Sequence, residues 1–302
     1  VALDGLVVVD KPGGMTSHDV VARLRRFART RRVGHAGTLD PMATGVLVIG
    51  VERATRLLTY LVGQDKTYVA TIRLGQSTVT DDAEGELVTA TPAGHLTEPD
   101  IRTALGGFVG QLDQVPSAVS AIKVKGVRSY TRVRQGEAVE LPARRVTIGR
   151  LDITSVQIGQ STVDVMVELD CSSGTYVRAI ARDLGAVLGV GGHLTALRRT
   201  AVGQFTLAEA ATLAELEQLD DPVTMPLSVA AVRVLPRRDV DAEAARVLSH
   251  GGPLAPSGQP GPYAVFAPDG TVVAVVSERD GKARAEVVLA PGGPGGGTPD
   301  VA

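Results

Sequence analysis

Tryptophan is missing from this 302-residue chain, and five tyrosines with four phenylalanines supply its only phenyl rings. With so few rings, a tyrosine inside a local motif is a candidate for chemistry before it is a candidate for core filling. Cysteine occurs once, at Cys171, which excludes an internal disulfide and any cluster of thiolate ligands. The five histidines (His18, His35, His95, His193 and His250) show no ligand spacing. Long apolar runs are lacking too: stretches such as Val46-Leu47-Val48-Ile49 are far too short to cross a bilayer. The first residues enter a strand-like run with neither a basic segment nor a long apolar stretch ahead of it, so no secretory signal is visible. These absences predict a soluble, metal-free protein of a reducing compartment, the cytoplasm.

An excess of basic charge is also missing. Thirty-one Lys and Arg stand against 33 Asp and Glu, a formal net charge of −2. That balance argues against a nucleic-acid binder until the distribution is examined. Arg23, Arg25, Arg26, Arg29, Arg31 and Arg32 follow one another with no acid among them. From Ile122 to Arg150, eight bases face only Glu137 and Glu140, a local +6. Acids gather elsewhere, as in Glu209, Glu215, Glu217, Asp220 and Asp221. Segregated charge of this kind fits either solvated helix faces or a surface that tracks phosphates.

Hydrophobic residues make up 44% of the chain, enough for a sizeable core and for one or two domains. Leu6–Val9 reads as a buried strand, and Thr16 and Ser17 are both capable caps for a helix from about His18 to Arg29. Thr30 to Gly45 has no period of either kind. A strand Val46–Val51, a helix carrying Ala54, Leu57, Leu58 and Leu61, and an alternating strand Lys66–Leu74 follow. Thr97 opens a further helix, with Pro99 in its first turn. Val146–Ile158 and Thr162–Leu169 read as a long hairpin, followed by a helix from near Thr175 toward Leu188 and an extended run from His193 to Thr206. Asp221 to Arg238, with three prolines, resembles a connector. Beyond it come a helix Val240–Ser249 and short strands near 263–266, 271–277 and 283–289. The Gly- and Pro-rich residues 291–302 are expected to be a disordered tail. Many hairpin-like strand pairs with helices between them predict an α+β fold with a mixed, mainly antiparallel central sheet.

The aperiodic segment Gly34-His35-Ala36-Gly37-Thr38-Leu39-Asp40-Pro41-Met42-Ala43-Thr44-Gly45 is the most informative. Its three glycines permit close backbone approach, and a φ-locking proline follows Asp40. On the residues alone, Asp40 either caps the next element as in many Asp-Pro turns, or is a single rigidly aimed carboxylate. The run from Arg32 to Leu47 closely resembles the TruB-type motif K-x-G-H-x-G-T-L-D-P-x-A-T-G-x-L. Asp10-Lys11-Pro12-Gly13-Gly14-Met15-Thr16-Ser17 resembles that family's K-P-x-G-x-T-S element, and Lys66-Thr67-Tyr68-Val69-Ala70 its K-x-Y-x-A. Ser173-Gly174-Thr175-Tyr176-Val177-Arg178 is similar to S-x-G-T-Y-[IV]-R, and Leu197-Arg198-Arg199-Thr200 to L-R-R-T. Five motifs in the family order cover most of residues 5–205.

The resemblance implies a pseudouridine synthase fold and isomerisation of uridine-55 in the T loop of tRNA, with no cofactor required. Asp40 would be the catalytic carboxylate, acting as nucleophile at C1′ or as base at C2′. A glycosidic hydrolase would usually want a second carboxylate, and none stands beside Asp40 in the sequence. Arg178 would pair with Asp40, and Tyr68 would stack on the target base and accept a proton. His35 would fill the space of the flipped nucleotide, Leu197 and Tyr176 would line the pocket, and Lys11, Arg32, Lys123 and Arg132 would hold the RNA. The resemblance divides the chain into a catalytic domain (1–230) with a basic RNA-gripping insertion near 114–148, and a PUA-like RNA-binding module (231–290). It implies a monomer that uses no guide RNA and no membrane. Three departures concern RNA grip: Pro116-Ser117-Ala118-Val119 for P-P-x-Y, Thr78-Val79-Thr80 for T-D-T, and Arg32 where lysine is frequent.

Overall fold

A computed structural model describes residues 3–117, 123–124, 127–128 and 141–290. Its strands in chain order begin with β1 (Gly5–Lys11), β2 (Val33–Ala36), β3 (Thr44–Val51), β4 (Lys66–Leu74), β5 (Gln76–Thr78), β6 (Leu87–Ala90) and β7 (Gly110–Gln114). Then follow β8 (Lys123–Val124), β9 (Val127–Arg128), β10 (Arg144–Ile158), β11 (Val163–Cys171), β12 (Gly192–Val202), β13 (Phe205–Thr206) and β14 (Met225–Pro226). The last four are β15 (Arg237–Asp239), β16 (Tyr263–Phe266), β17 (Val272–Arg279) and β18 (Lys282–Val288).

The main sheet runs β14-β1-β3-β12-β4-β11-β10-β7, with β2 added to β3 and β13 to β12. Its pairs are antiparallel apart from β3 with β12, which are parallel and share only the register pairs Thr44↔Arg198 and Gly45↔Arg199. Strand β4 sits at the centre because its alternation suits that place: Tyr68, Ala70, Ile72 and Leu74 are buried while the residues between them are half-buried. The α+β, mainly antiparallel reading of the sequence therefore holds.

Local signals explain several boundaries. Thr16 and Asp19 form a reciprocal capping box at the helix Ser17–Phe27, and Thr97 and Asp100 do the same at Glu98–Gly106. Two segments depart from the sequence reading. The aperiodic stretch contains β2, four residues with Gly34 and His35 inside, too short to show alternation. The supposed connector contains a helix, Leu227–Val234, and its prolines are punctuation rather than linker: Pro226 is the N-cap and Pro236 follows the end.

That helix also crosses the boundary expected at 230 and packs in a core shared with both sides. Leu6, Val8, Val46 and Val48 of the main sheet join Leu227, Ala231, Phe266 and Val275 in one buried cluster. The helix Leu227–Val234 thus joins the C-terminal sheet β15-β16-β17-β18 to the main sheet, touching β17 on one side and β1 on the other. Polar ties reinforce the contact: Arg53 donates to the Leu289 carbonyl at 2.7 Å, and the Tyr60 hydroxyl to Glu286 at 2.8 Å.

Candidate active site

The loop between β2 and β3 carries Asp40 and is held from three sides. Ser17, expected as a cap, is buried instead; its hydroxyl donates to the Leu39 carbonyl at 3.1 Å and accepts from the Leu39 N–H at 2.9 Å. Lys11 is fully buried, and its ammonium donates to the carbonyls of Pro12, Met15 and Pro41 at 2.8, 2.6 and 3.1 Å. Burial lowers its pKa to about 8, with the negative charge of Asp40 acting in the opposite sense. Arg199, 1% exposed, reaches the carbonyls of Val46, Gly37 and Thr38 at 2.7, 3.1 and 3.4 Å. Gly45 has φ +100°, and a Cβ there would lie 2.1 Å from the Arg199 carbonyl oxygen, so no other residue lets β3 and β12 meet.

Against this loop stands the first turn of the helix Val177–Val187, which presents Arg178. Its Nε lies 3.0 Å from Asp40 Oδ2, and its Nη2 donates to Oδ1 at 3.2 Å, a two-pronged contact that fixes the carboxylate plane. The guanidinium side chain is 5% exposed and the Asp40 side chain 35%, so the cation sits behind and the carboxylate opens outward. The same guanidinium donates to the Thr80 carbonyl at 2.9 Å and lies 3.6 Å from Asp82, whose side chain is also 5% exposed. Asp82 is in turn oriented by the Thr80 hydroxyl and by the Glu84 N–H. A second carboxylate therefore does stand close to Asp40, with Arg178 between them.

Tyr68 of β4 is buried beside Arg199; burial pushes its phenol pKa up and the neighbouring guanidinium works against that shift. Asp40, Tyr68, Tyr176, Arg178 and Leu197 line one cleft of about 270 Å³, together with Lys66 and Arg199. Of the other expected site residues that are described, Lys11, His35 and Arg32 are not among its walls. Lys11 was expected on the RNA, but it has no exposed surface to offer and reaches the site only through the Pro41 carbonyl. The His35 ring meets His18 edge-on at 5.4 Å, and its buried Nδ1 has no partner among the described residues. Burial, aided by His18 and Arg199, lowers the His35 pKa. Arg32 is exposed and 3.7 Å from Glu52. Arg132 and the side chain of Lys123 lie outside the described residues, as does the tail 291–302.

Residues 25–177 match the model of the TruB family pseudouridylate synthase N-terminal domain. The chain belongs to that family. Residues 178–224 match the tRNA pseudouridylate synthase B C-terminal domain, and 235–290 the C-terminal domain of tRNA pseudouridine synthase II. The tRNA pseudouridine synthase B of Mycolicibacterium paratuberculosis is 57% identical over 287 residues, 95% of this chain and 98% of that one. Its Thermobifida fusca counterpart is 55% identical over 95% of this chain and 99% of that one. Among solved structures, one chain of a Cbf5-Nop10-Gar1 complex superposes with a TM-score of 0.71 at 25% identity, covering 95% of this chain and 85% of that one. The chain is accordingly an isomerase of the pseudouridine synthase class.

Sequence reasoning did not single out three residues that the structure places at or beside this cleft: Asp82, Arg199 and Gln114. Asp82 lies in the acidic run Asp81, Asp82, Glu84 and Glu86, where nothing distinguishes it from its neighbours. Arg199 had a signal, since it shares the inward face of β12 with Leu197 at period two, and an inward arginine in a strand needs buried acceptors. Gln114 had none.

Proposed function

We propose that this chain converts uridine-55 of the tRNA T loop to pseudouridine, unaided by a guide RNA, with Asp40 as the catalytic carboxylate. The observation that carries the reading is the two-pronged Arg178–Asp40 contact at the mouth of a cleft walled by Tyr68. The names of the relatives and the five matching motifs support the substrate.

In the reaction the N1–C1′ bond breaks, the uracil turns, C5 bonds to C1′, and the proton lost from C5 is balanced by one gained at N1. Nothing is oxidised or hydrolysed. Asp40 acts on the sugar, either by attack at C1′ or by taking the C2′ proton. Arg178 donates from behind, so the carboxylate keeps its aim while the base swings. Leu197 and the Tyr68 ring bound the space in which it turns and limit water, which would otherwise capture C1′. Chemistry at C1′ of a stacked nucleotide is out of reach, so the target leaves its stack and enters the cleft first.

The test is pseudouridine mapping on an unmodified tRNA transcript with the purified chain as sole macromolecule. Modification at position 55 alone is expected. Absence of product until a guide RNA is added, or product at another position, would overturn the reading.

Tyr68→Phe separates stacking from proton transfer. The ring and its place in β4 remain, so tRNA affinity is expected to be unchanged, while the single-turnover rate falls by about 100-fold or more. Tyr68→Leu is expected to lose that rate and also about 1–3 kcal/mol of binding, the worth of one aromatic–base stack. Wild-type rates for Tyr68→Phe would remove the hydroxyl from the mechanism.

A further inference from the structure

The root of the basic segment is tied to the active-site helix by a side chain that belongs to none of the five motifs. Gln114 ends β7, faces inward and is 2% exposed. Its amide brackets the backbone of Tyr176: the Tyr176 N–H donates to Oε1 at 2.8 Å, and Nε2 donates to the Tyr176 carbonyl at 3.1 Å. Tyr176 is the N-cap of the helix bearing Arg178, and it makes no side-chain capping bond. Gln114 instead holds the N-cap residue itself from another strand, satisfying its N–H and adding a donor to its carbonyl at once. Tyr176 and Arg178 are two residues apart, so any turn of the helix start displaces the guanidinium that grips Asp40.

The neighbouring position is tied to the same helix. Arg182 donates to the Val115 carbonyl at 2.9 Å and lies 3.5 Å from Asp81. On its other side Gln114 pairs in register with Arg144 of β10, which closes the base of residues 115–143.

We propose that Gln114 is a positioning residue for the isomerisation, locking the start of the Val177–Val187 helix, and with it Tyr176 and Arg178, to the base of the segment that grips RNA. The inference rests on the functional reading above. It makes the aim of Arg178 depend on a residue at the base of that segment, separately from the hold on the RNA.

Gln114→Glu tests this, because it keeps the shape and replaces only Nε2. Protonated, the acid still donates to the Tyr176 carbonyl and accepts from the Tyr176 N–H. Ionised, two oxygens confront that carbonyl and the bracket opens. Burial moves the titration above the ordinary glutamate range. With an unmodified tRNA transcript under single turnover, the variant should match wild type at low pH. As pH rises it should fall behind by about tenfold or more, because small misplacements of catalytic groups are costly. Its tRNA affinity should stay within about twofold of wild type throughout. Gln111→Glu, exposed on the same strand, should follow wild type at every pH.

A Gln114→Glu profile parallel to wild type would overturn the inference, as would a rate loss matched by an equal loss of affinity. If that variant fails to fold, Gln114→Met keeps the length without the bonds and should lose rate but not affinity; loss of both again overturns it. A wild type that forms no pseudouridine would sink the functional reading instead.

Discussion

Asp40→Asn is expected to bind an unmodified tRNA transcript with wild-type affinity and to form pseudouridine at less than about one thousandth of the wild-type single-turnover rate. The substitution is isosteric, so the loop keeps its anchors: the Ser17–Leu39 pair, the Lys11 contacts and the three Arg199 bonds involve other residues or the backbone. Arg178 retains the Thr80 carbonyl and Asp82 as partners. What disappears is the negative charge that must act at the sugar, and an amide is neither a nucleophile nor a base there. A melting temperature close to wild type should accompany the loss. Turnover within tenfold of wild type would mean that another group does the chemistry, with Asp82 the first to test.

Arg178 is expected to show a second large effect, on stability as well as rate. Arg178→Met leaves Asp82 at 5% exposure with no cation paired to it among the described residues, facing Asp40 across the gap. Removing one partner of a buried pair typically costs about 3–5 kcal/mol, and urea melts should show a loss of that order along with undetectable turnover. Arg178→Lys keeps the charge but not the planar fork, so it should fold nearly normally and lose about 100-fold in rate. The double change Arg178→Met with Asp82→Asn should regain most of the stability and none of the activity. If Arg178→Met melts as wild type does, the buried triad contributes nothing to the fold and the two roles separate.

The sequence announced those features that depend on neighbours along the chain. Strand β4 was visible from its alternation, two helix starts from Thr16 and Thr97, and the long β10–β11 hairpin from two alternating runs around Gly159 and Gln160. Asp40, Tyr68 and Arg178 were visible because each sits in a local motif. The remaining site residues depend on partners far away. Gln114 meets Tyr176 across 62 positions, Asp82 meets Arg178 across 96, and Arg199 meets Gly37 across 162. No periodicity encodes such meetings. Lys11 was expected on the RNA from the family motif alone, and only the folded chain shows three carbonyls around it.

The meeting of β3 and β12 divides the main sheet into two leaves, β14-β1-β3 with β2 on one side and β12-β4-β11-β10-β7 on the other. Asp40 comes from the first leaf, while Tyr68, Arg178 and Leu197 come from the second. A two-pair ladder is a weak seam, and side chains do the stitching: Arg199 reaches across to the Gly37, Thr38 and Val46 carbonyls, and Arg198 to Asp10 and Thr44. The stitches are the walls of the cleft or their immediate neighbours. Loosening the site to admit a different substrate would therefore also part the leaves, which makes this fold a poor candidate for drifting toward new specificity by changes at the cleft.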